Sequence, residues 1–343
     1  MADVAKLAGV SQMTVSRVLN NQASVRPDTR ARVLAAMSEL GYRPNTAART
    51  LVTGRSSAVG VVSFDATLYG PASTLAGIED AAREAGYSVS VASLRSMTAE
   101  AIAEAVERLT VHAVVGIIVI APHRFVVDGL AGMPHSVPLV AVQGPGAAPV
   151  PTVSVDQAAG AGMAMRHLLE LGHEAIWHIA GPKGWLEARG RERAWRAALT
   201  AAGHVVPPML TGDWSSRSGY EQARKIAAAG EATAVFVAND HMALGALRAF
   251  GEAGLRVPDD ISVVGFDDVP EAAYFMPPLT TVRADFAALG RRSLTHLLDV
   301  LEDANAQEAG VVLPPELVQR QSTGAVAGSG APRLRRGTSA PSR

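Results

Sequence analysis

The sequence predicts an all-α N-terminal head carrying a helix-turn-helix, a short hinge helix, and a two-lobed α/β core built on parallel sheets. Three observations lead there. At 343 residues the chain is too long for one small domain. Its first forty residues show helical periodicity only. From Ser57 onward, strands that are apolar throughout alternate with helices, and the rhythm restarts after Asp156.

In the head, Val4, Ala5 and Ala8 make one apolar face, Gly9 interrupts it, and Ser11 is placed to cap the next helix. That helix should run from about Gln12 to Asn20, with Val15, Val18 and Leu19 inward and Gln12, Met13, Ser16 and Arg17 outward. The chain begins so close to Asp3 that the first helix is expected to start almost at Met1. A third helix follows Pro27, with Val33, Leu34, Met37 and Leu40 as its apolar stripe and Gly41 as its end. Short helix, glycine turn, then a helix exposing long polar side chains is the pattern that enters a DNA major groove. Read alone, the stretch also suits an ordinary helical hairpin in a small bundle.

The order of the motifs carries more. The run DVAKLAGVSQMTVSRVLN from Asp3 to Asn20, followed by GYRPNTAARTL from Gly41 to Leu51, resembles the signature of the lactose/galactose-repressor family of bacterial transcription factors. That resemblance implies a DNA interface made by Gln12, Met13, Thr14, Ser16, Arg17, Asn20, Asn45, Ala48 and Leu51. It also implies that the segment after Asn45, too short to be a stable helix alone in water, forms a hinge helix on a pseudo-palindromic operator. Leu51 would then wedge between base pairs in the minor groove, with Ala47 and Ala48 letting two hinges approach. Gln12-Met13 departs from pairs familiar in the family, so a known operator is not assumed.

The core elements follow in order. Strands are expected at Ala58–Phe64, Val89–Leu94, Val114–Ala121 and Leu139–Val142, with helices at Ser73–Ala85 and Ala99–Leu109. After Asp156 come a helix to Leu171, a strand Ile176–Ala180, a helix Trp185–Ala202, a strand Ala234–Val237, a helix Met242–Ala253 and a strand Ile261–Phe266. Chain crossings are expected near Val153–Asp156 and Thr281–Asp285, a last helix over Ala284–Glu302 returns to the first lobe, and Val311–Gln319 finishes the second. The expected divisions are 1–43, 44–56 and 57–323, with lobe 1 at 57–154 and 284–312 and lobe 2 at 155–283 and 313–323. The resemblance extends to this core and implies a periplasmic-binding-protein-like architecture. The segment 324–343, rich in Gly, Ser, Ala and Pro with four arginines and no acid, is expected to be a disordered tail.

Charge is split: residues 1–58 hold eight basic and three acidic side chains, a balance of +5 within a chain whose net charge is −1. A basic head on an acidic body is what phosphate contact at one end requires. The absence of cysteine excludes disulfides and thiol chemistry. No apolar run reaches the ~18 residues of a membrane span, and no charged-then-apolar signal pattern opens the chain, so a cytoplasmic, nucleoid-associated protein with no membrane partner is expected. There is no Walker loop, no G-x-S-x-G elbow and no G-x-G-x-x-G after the first strand, and hence no cofactor motif. His173, Glu174 and His178 lack zinc-protease spacing, and His167 and His173 are expected to cap or to be solvated. No catalytic constellation is visible, so no enzyme is expected.

Open α/β sheets bind ligands beyond the carboxyl ends of their strands. Phe64 and Leu68 follow the first strand, Asn239 and Asp267 follow strands of the second lobe, Arg191 lies on a helix, and Trp214 on a loop. Carboxylate, amide and guanidinium groups bridge neighbouring hydroxyls, and an aromatic ring stacks on a pyranose, so a neutral sugar suits the set. By resemblance, Arg191, Asn239 and Asp267 contact hydroxyls while Trp214 and Phe286 form the aromatic walls. The stretch Gly212–Tyr220 is closer to the family's lactose branch than to its purine branch, which makes a galactoside the first expectation. Capping of the following segments by Asn239 and Asp267 is the plainer alternative. The family's tetramerising leucine heptad is not seen, so a homodimer is expected. The function implied is a repressor whose operator affinity a sugar controls. The alternatives are a regulator whose ligand strengthens DNA binding, a sugar-binding transport component, and a sugar-converting enzyme.

Overall fold

The computed structural model describes residues 1–19, 25–42, 57–65, 67–94, 96, 98–120, 123–131, 136–142, 150–303 and 310–326. They form two compact units, Met1–Ser57 and Ala58–Arg343. Asn20, the segment 43–56 with Asn45, Ala48 and Leu51, and the tail beyond Val326 lie outside the described residues, and so does the expected hinge helix.

The first unit is a three-helix head: α1 Ala2–Ala8, α2 Gln12–Leu19 and α3 Pro27–Glu39. Gly9 ends α1 in the left-handed region, its N–H donating to Ala5 and Lys6 carbonyls. Ser11 Oγ then accepts the Thr14 amide at 3.1 Å, capping α2. Val4, Ala5, Ala8, Val15, Val18, Val33 and Ala36 make the small core. The stripe expected on α3 is corrected here. Leu34 and Leu40 are exposed, and Ala36 joins Val33 with Met37 against the core. Three short helices leave room for only one narrow face, and Leu40 stands past the last turn of α3.

The second unit holds two six-stranded sheets, the first ordered β11-β5-β4-β3-β1-β2 and the second β12-β10-β9-β8-β6-β7. In chain order the first lobe runs β1 Ala58–Phe64, α4 Tyr69–Glu84, β2 Ser88–Leu94, α5 Ala99–Val111, β3 Ile117–Ile120, α6 Arg124–Ala131, β4 Leu139–Val142 and β5 Thr152–Val155. The chain crosses at Asp156, whose carboxylate caps α7 Gln157–Glu170. The second lobe continues with β6 Ile176–Ala180, α8 Leu186–Ala201, β7 Leu210–Thr211, α9 Ser216–Ala229, β8 Ala234–Val237, α10 Asp240–Glu252, β9 Ser262–Asp267, a 3-10 turn Pro270–Tyr274 and β10 Thr280–Arg283. The chain crosses back to α11 Phe286–Glu302, which packs on α4, and then to β11 Val311–Leu313 beside β5. It crosses a third time to β12 Glu316–Val318, antiparallel to β10.

Sheet pairings are otherwise parallel, and central strands such as β3 and β8 are buried on both faces, whereas the edge strand β2 is partly exposed. Several expectations are adjusted. Val311–Gln319 is not one strand of the second lobe, because its first three residues pair with Val153–Val155 in the first sheet. The first core helix begins at Tyr69 rather than Ser73, and β3 is shorter than Val114–Ala121. The helices α6 and α9 and the two-residue β7 have no counterpart in the sequence reading. His173 is neither a cap nor solvated: it is buried, bonding Thr233 Oγ1 at 3.1 Å and Ser262 Oγ at 3.0 Å. Its Nε2 also lies 3.0 Å from the Gly324 carbonyl, and the Val326 amide donates to the Leu171 carbonyl at 3.1 Å. Gly324–Val326 are thus pinned to the second lobe rather than part of a free tail.

Candidate effector cleft and DNA-facing helix

In the head, α2 turns Val15 and Val18 inward and leaves Gln12, Met13 and Arg17 exposed, with Thr14 and Ser16 half-buried. Met13 is 66% exposed, which a methionine on a free helix face does not need for packing. The hydroxyl of Thr14 lies 3.0 Å from that of Ser11, so it helps to fix the start of the helix as well as facing outward.

In the core, a cavity of about 560 Å³, counted out to its open mouth, lies between the two sheets. Six expected residues line it: Leu68, Arg191, Trp214, Asn239, Asp267 and Phe286. Phe64 is the correction. It is not among the lining residues; its ring stands edge-on to Trp185, 6.4 Å between centroids, and packs into the core instead. Trp185 takes the wall. Sequence reading also passed over Tyr69, Glu187, His241 and Leu289. Glu187 was detectable, since it stands four residues before Arg191 and shares its helix face. Trp185 carries no such signal, because only the packing of the two lobes shows which aromatics reach the cavity.

Local folding places each group. Arg191 projects from the second turn of α8 and is only 2% exposed. Its Nε donates to Gln157 Oε1 at 2.8 Å, Nη1 donates to the Ala238 carbonyl, and Nη2 lies 3.5 Å from Asp267 Oδ1. The guanidinium also stacks 3.7 Å above the Phe266 ring centroid. Asp267 ends β9 with φ 102°, and Trp214 has φ 74°, both in the left-handed region. Such strain at two lining residues is what an over-determined binding surface retains. Gly181 allows the Trp214 ring to lie on the backbone, since a Cβ there would meet the ring. Asn239 serves two structures at once. Its side-chain oxygen caps α10 through the Met242 amide at 2.9 Å, and its amide nitrogen donates to the Trp214 carbonyl at 3.1 Å.

Burial pushes the Asp267 carboxyl up to about 7; Arg191 opposes the rise and Glu187 adds to it. Burial likewise raises Glu187, against the pull of Arg191. Glu187 is half-buried on the wall of the cleft. Beneath the floor, Asp240 is fully buried and accepts from the Val269 amide at 2.9 Å and the Thr281 hydroxyl at 2.6 Å, tying β10 and the loop after β9 to α10. At the rim, His123 of the first lobe forms an isolated bridge with Trp185, and the Arg124 amide donates to the Gly184 carbonyl at 3.1 Å. Among the described residues no group of three His, Cys, Asp or Glu could hold a metal ion, and no helix is long and apolar enough to cross a membrane.

Comparison with known proteins adds independent findings. Residues 1–45 match the family of bacterial regulatory proteins, lacI family, and residues 165–323 match a periplasmic binding protein-like domain. The chain is 38% identical to the lactose operon repressor of Escherichia coli (strain K12) over 328 residues, 94% of this chain and 89% of that protein. It is 34% identical to the HTH-type transcriptional repressor PurR of Pasteurella multocida (strain Pm70), over 93% of this chain and 97% of that protein. Among solved structures, the Lac repressor dimer bound to operator and the anti-inducer ONPF superposes with a TM-score of 0.87 at 37% identity, covering 94% of this chain and 98% of that one. The complex of the transcriptional regulator CelR with cellobiose superposes at 0.68 and 32% identity, covering 93% and 98%.

Proposed function

Because the chain belongs to the lacI family of bacterial regulatory proteins, a DNA-binding transcriptional repressor under small-molecule control, we propose that it is a homodimer whose operator is released by a neutral sugar bound between the lobes. The carrying observation is that one chain joins a helix-turn-helix with a free polar face to a cleft where Arg191, Asn239 and Asp267 stand among Trp185, Trp214 and Phe286. In this reading Gln12, Met13, Thr14, Ser16, Arg17 and Asn20 of each head read one half-site. Asn45, Ala48 and Leu51 hold the centre of a pseudo-palindrome. Ligand stacked on the aromatic walls and bonded to Asp267 and Asn239 alters the angle between the lobes. The dimer's first lobes separate, and the hinges lose their packing. A galactoside is our first choice of effector, and a cytoplasmic location follows from the DNA partner. A coupling of ~1–3 kcal/mol between the sites is typical, and ligand weakens DNA binding by the factor by which DNA weakens ligand binding.

The test is an operator titration at fixed salt, with and without candidate galactosides. Arg191 is too deeply bonded to remove without loosening the second lobe, so Asp267→Ala is the informative variant. It should bind operator yet need about ten- to a hundredfold more effector for release, since an unpaired polar contact costs ~1–3 kcal/mol. A variant that releases at the wild-type concentration would remove Asp267 from the site. Tighter operator binding by the wild type with ligand would mean co-repression at the same site.

A further inference from the structure

We infer that Glu187 sets the chemistry of the effector: its carboxylate receives a hydrogen-bond donor from the ligand and keeps negatively charged ligands out of the cleft. The inference rests on the reading of the cavity as a sugar site and makes it more specific.

Glu187 and Arg191 stand one turn apart on the same face of α8, and both line the cavity. Arg191, the obvious partner for Glu187, is turned towards other groups and makes no hydrogen bond to it. Arg191 gives Nε to Gln157, Nη1 to the Ala238 carbonyl and Nη2 to Asp267. No described residue donates a hydrogen bond to Glu187, which stands half-buried on the cavity wall. A carboxylate in such surroundings needs donors, and a ligand hydroxyl or ammonium supplies a charge-assisted bond. The rest of the described lining offers neutral donors, the Tyr69 and Thr74 hydroxyls and the unpartnered Trp214 indole N–H, which suit a hydroxyl and carry no charge to balance an anion. Leu68, Ile120, Val142, Leu289 and Phe286 are apolar, and His241 joins Arg191 as the other nitrogen base against two carboxylates. A ligand carboxylate or phosphate would enter a cleft that already holds the Glu187 and Asp267 carboxyls, and a further negative charge beside them is disfavoured.

A first-turn carboxylate also interacts favourably with the helix dipole of α8. That role would show in stability and leave ligand choice untouched, so ligand choice is the readout. The full-length dimer would be titrated calorimetrically with methyl galactoside, galactosamine and galacturonate, and operator release followed in parallel by fluorescence anisotropy. The wild type should bind galacturonate about a hundredfold more weakly than methyl galactoside. Glu187→Gln should weaken methyl galactoside about tenfold and shrink the gap to galacturonate below about tenfold. Glu187→Asp, which keeps the charge and withdraws it by one methylene, should lose affinity and still exclude galacturonate. Thermal midpoints of both variants report folding. Tighter binding of galactosamine would identify an ammonium as the donor, and tighter binding of methyl galactoside a hydroxyl. If methyl galactoside binds and releases operator while galacturonate does so equally well, or if Glu187→Gln leaves the ratio unchanged, this inference alone fails. If none of the three binds, the sugar reading fails and this inference with it.

Discussion

Asp267 and Arg17 show how much a single side chain decides here. The native state holds Asp267 near 7 because it is buried, against about 3.9 for an exposed aspartate. Between those values the folded protein binds a proton that the unfolded chain has released. The stabilisation is therefore full below about pH 4 and is lost as pH rises through about 7, at no more than ~1.4 kcal/mol per pH unit. Glu187 and Asp240, both raised by burial, lean the same way. We expect Asp267→Asn to flatten the fall in stability between pH 5 and 8, measured by urea denaturation. An unchanged slope would assign it to Glu187 or Asp240. Arg17 acts at the other unit, exposed on α2. Arg17→Ala should cost ~1–3 kcal/mol at the specific operator if it reads a guanine edge. The check compares operator with random duplex at one salt concentration, where an equal loss on both would make it a phosphate contact.

At the scale of elements, the pairing of α4 with α11 holds the first-lobe side of the cleft. Tyr69 opens α4, Phe286 opens α11, and their rings meet edge to face at 5.8 Å. The helices come this close because Gly77 and Gly290 face backbone: a Cβ on Gly77 would meet the Ala287 carbonyl, and one on Gly290 the Thr74 carbonyl. Gly77→Ala should therefore force α11 outward and destabilise the core by ~1–3 kcal/mol, the cost of overpacking. It should also weaken effector binding, because the displaced first turn of α11 carries Phe286. A thermal melt with and without effector checks both. If Gly77→Ala melts like the wild type, the two helices have slack that the geometry does not suggest.

At the scale of the whole core, three chain crossings, after Val155, after Arg283 and after Leu313, join the two sheets. Each lobe is thus assembled from separated parts of the chain. The crossings also help to place the cavity wall. Asp156 caps α7 at the first, Asp285 caps α11 at the second, and Gln157 beside the first crossing holds Arg191 in place. Across the rim, His123 and the 182–185 turn bring the lobes into direct backbone contact. A ligand that favours one spacing of these contacts has a means of shifting the angle between lobes.

Read alone, the sequence determined what local chemistry controls. It specified the helix-turn-helix, with its glycine stop and serine cap, and the strands whose unbroken apolar runs need two covered faces. Strand ends together with the family resemblance also named Leu68, Arg191, Trp214, Asn239, Asp267 and Phe286, which line the cavity. Its misses have a common physical cause. The helix Ser216–Ala229 is mostly polar and small, and it is held by close packing on α10 rather than by a strong apolar stripe. The strands Leu210–Thr211 and Val311–Leu313 are too short to carry a period, and they exist because a neighbouring edge offers hydrogen bonds. Whether Phe64 or Trp185 lines the cleft depends on how the lobes meet, which no local rule encodes. That Glu187 receives no hydrogen bond from Arg191 became visible only when folding turned that guanidinium towards Gln157, the Ala238 carbonyl and Asp267, because hydrogen-bond satisfaction is a property of the packed chain and not of any stretch of it.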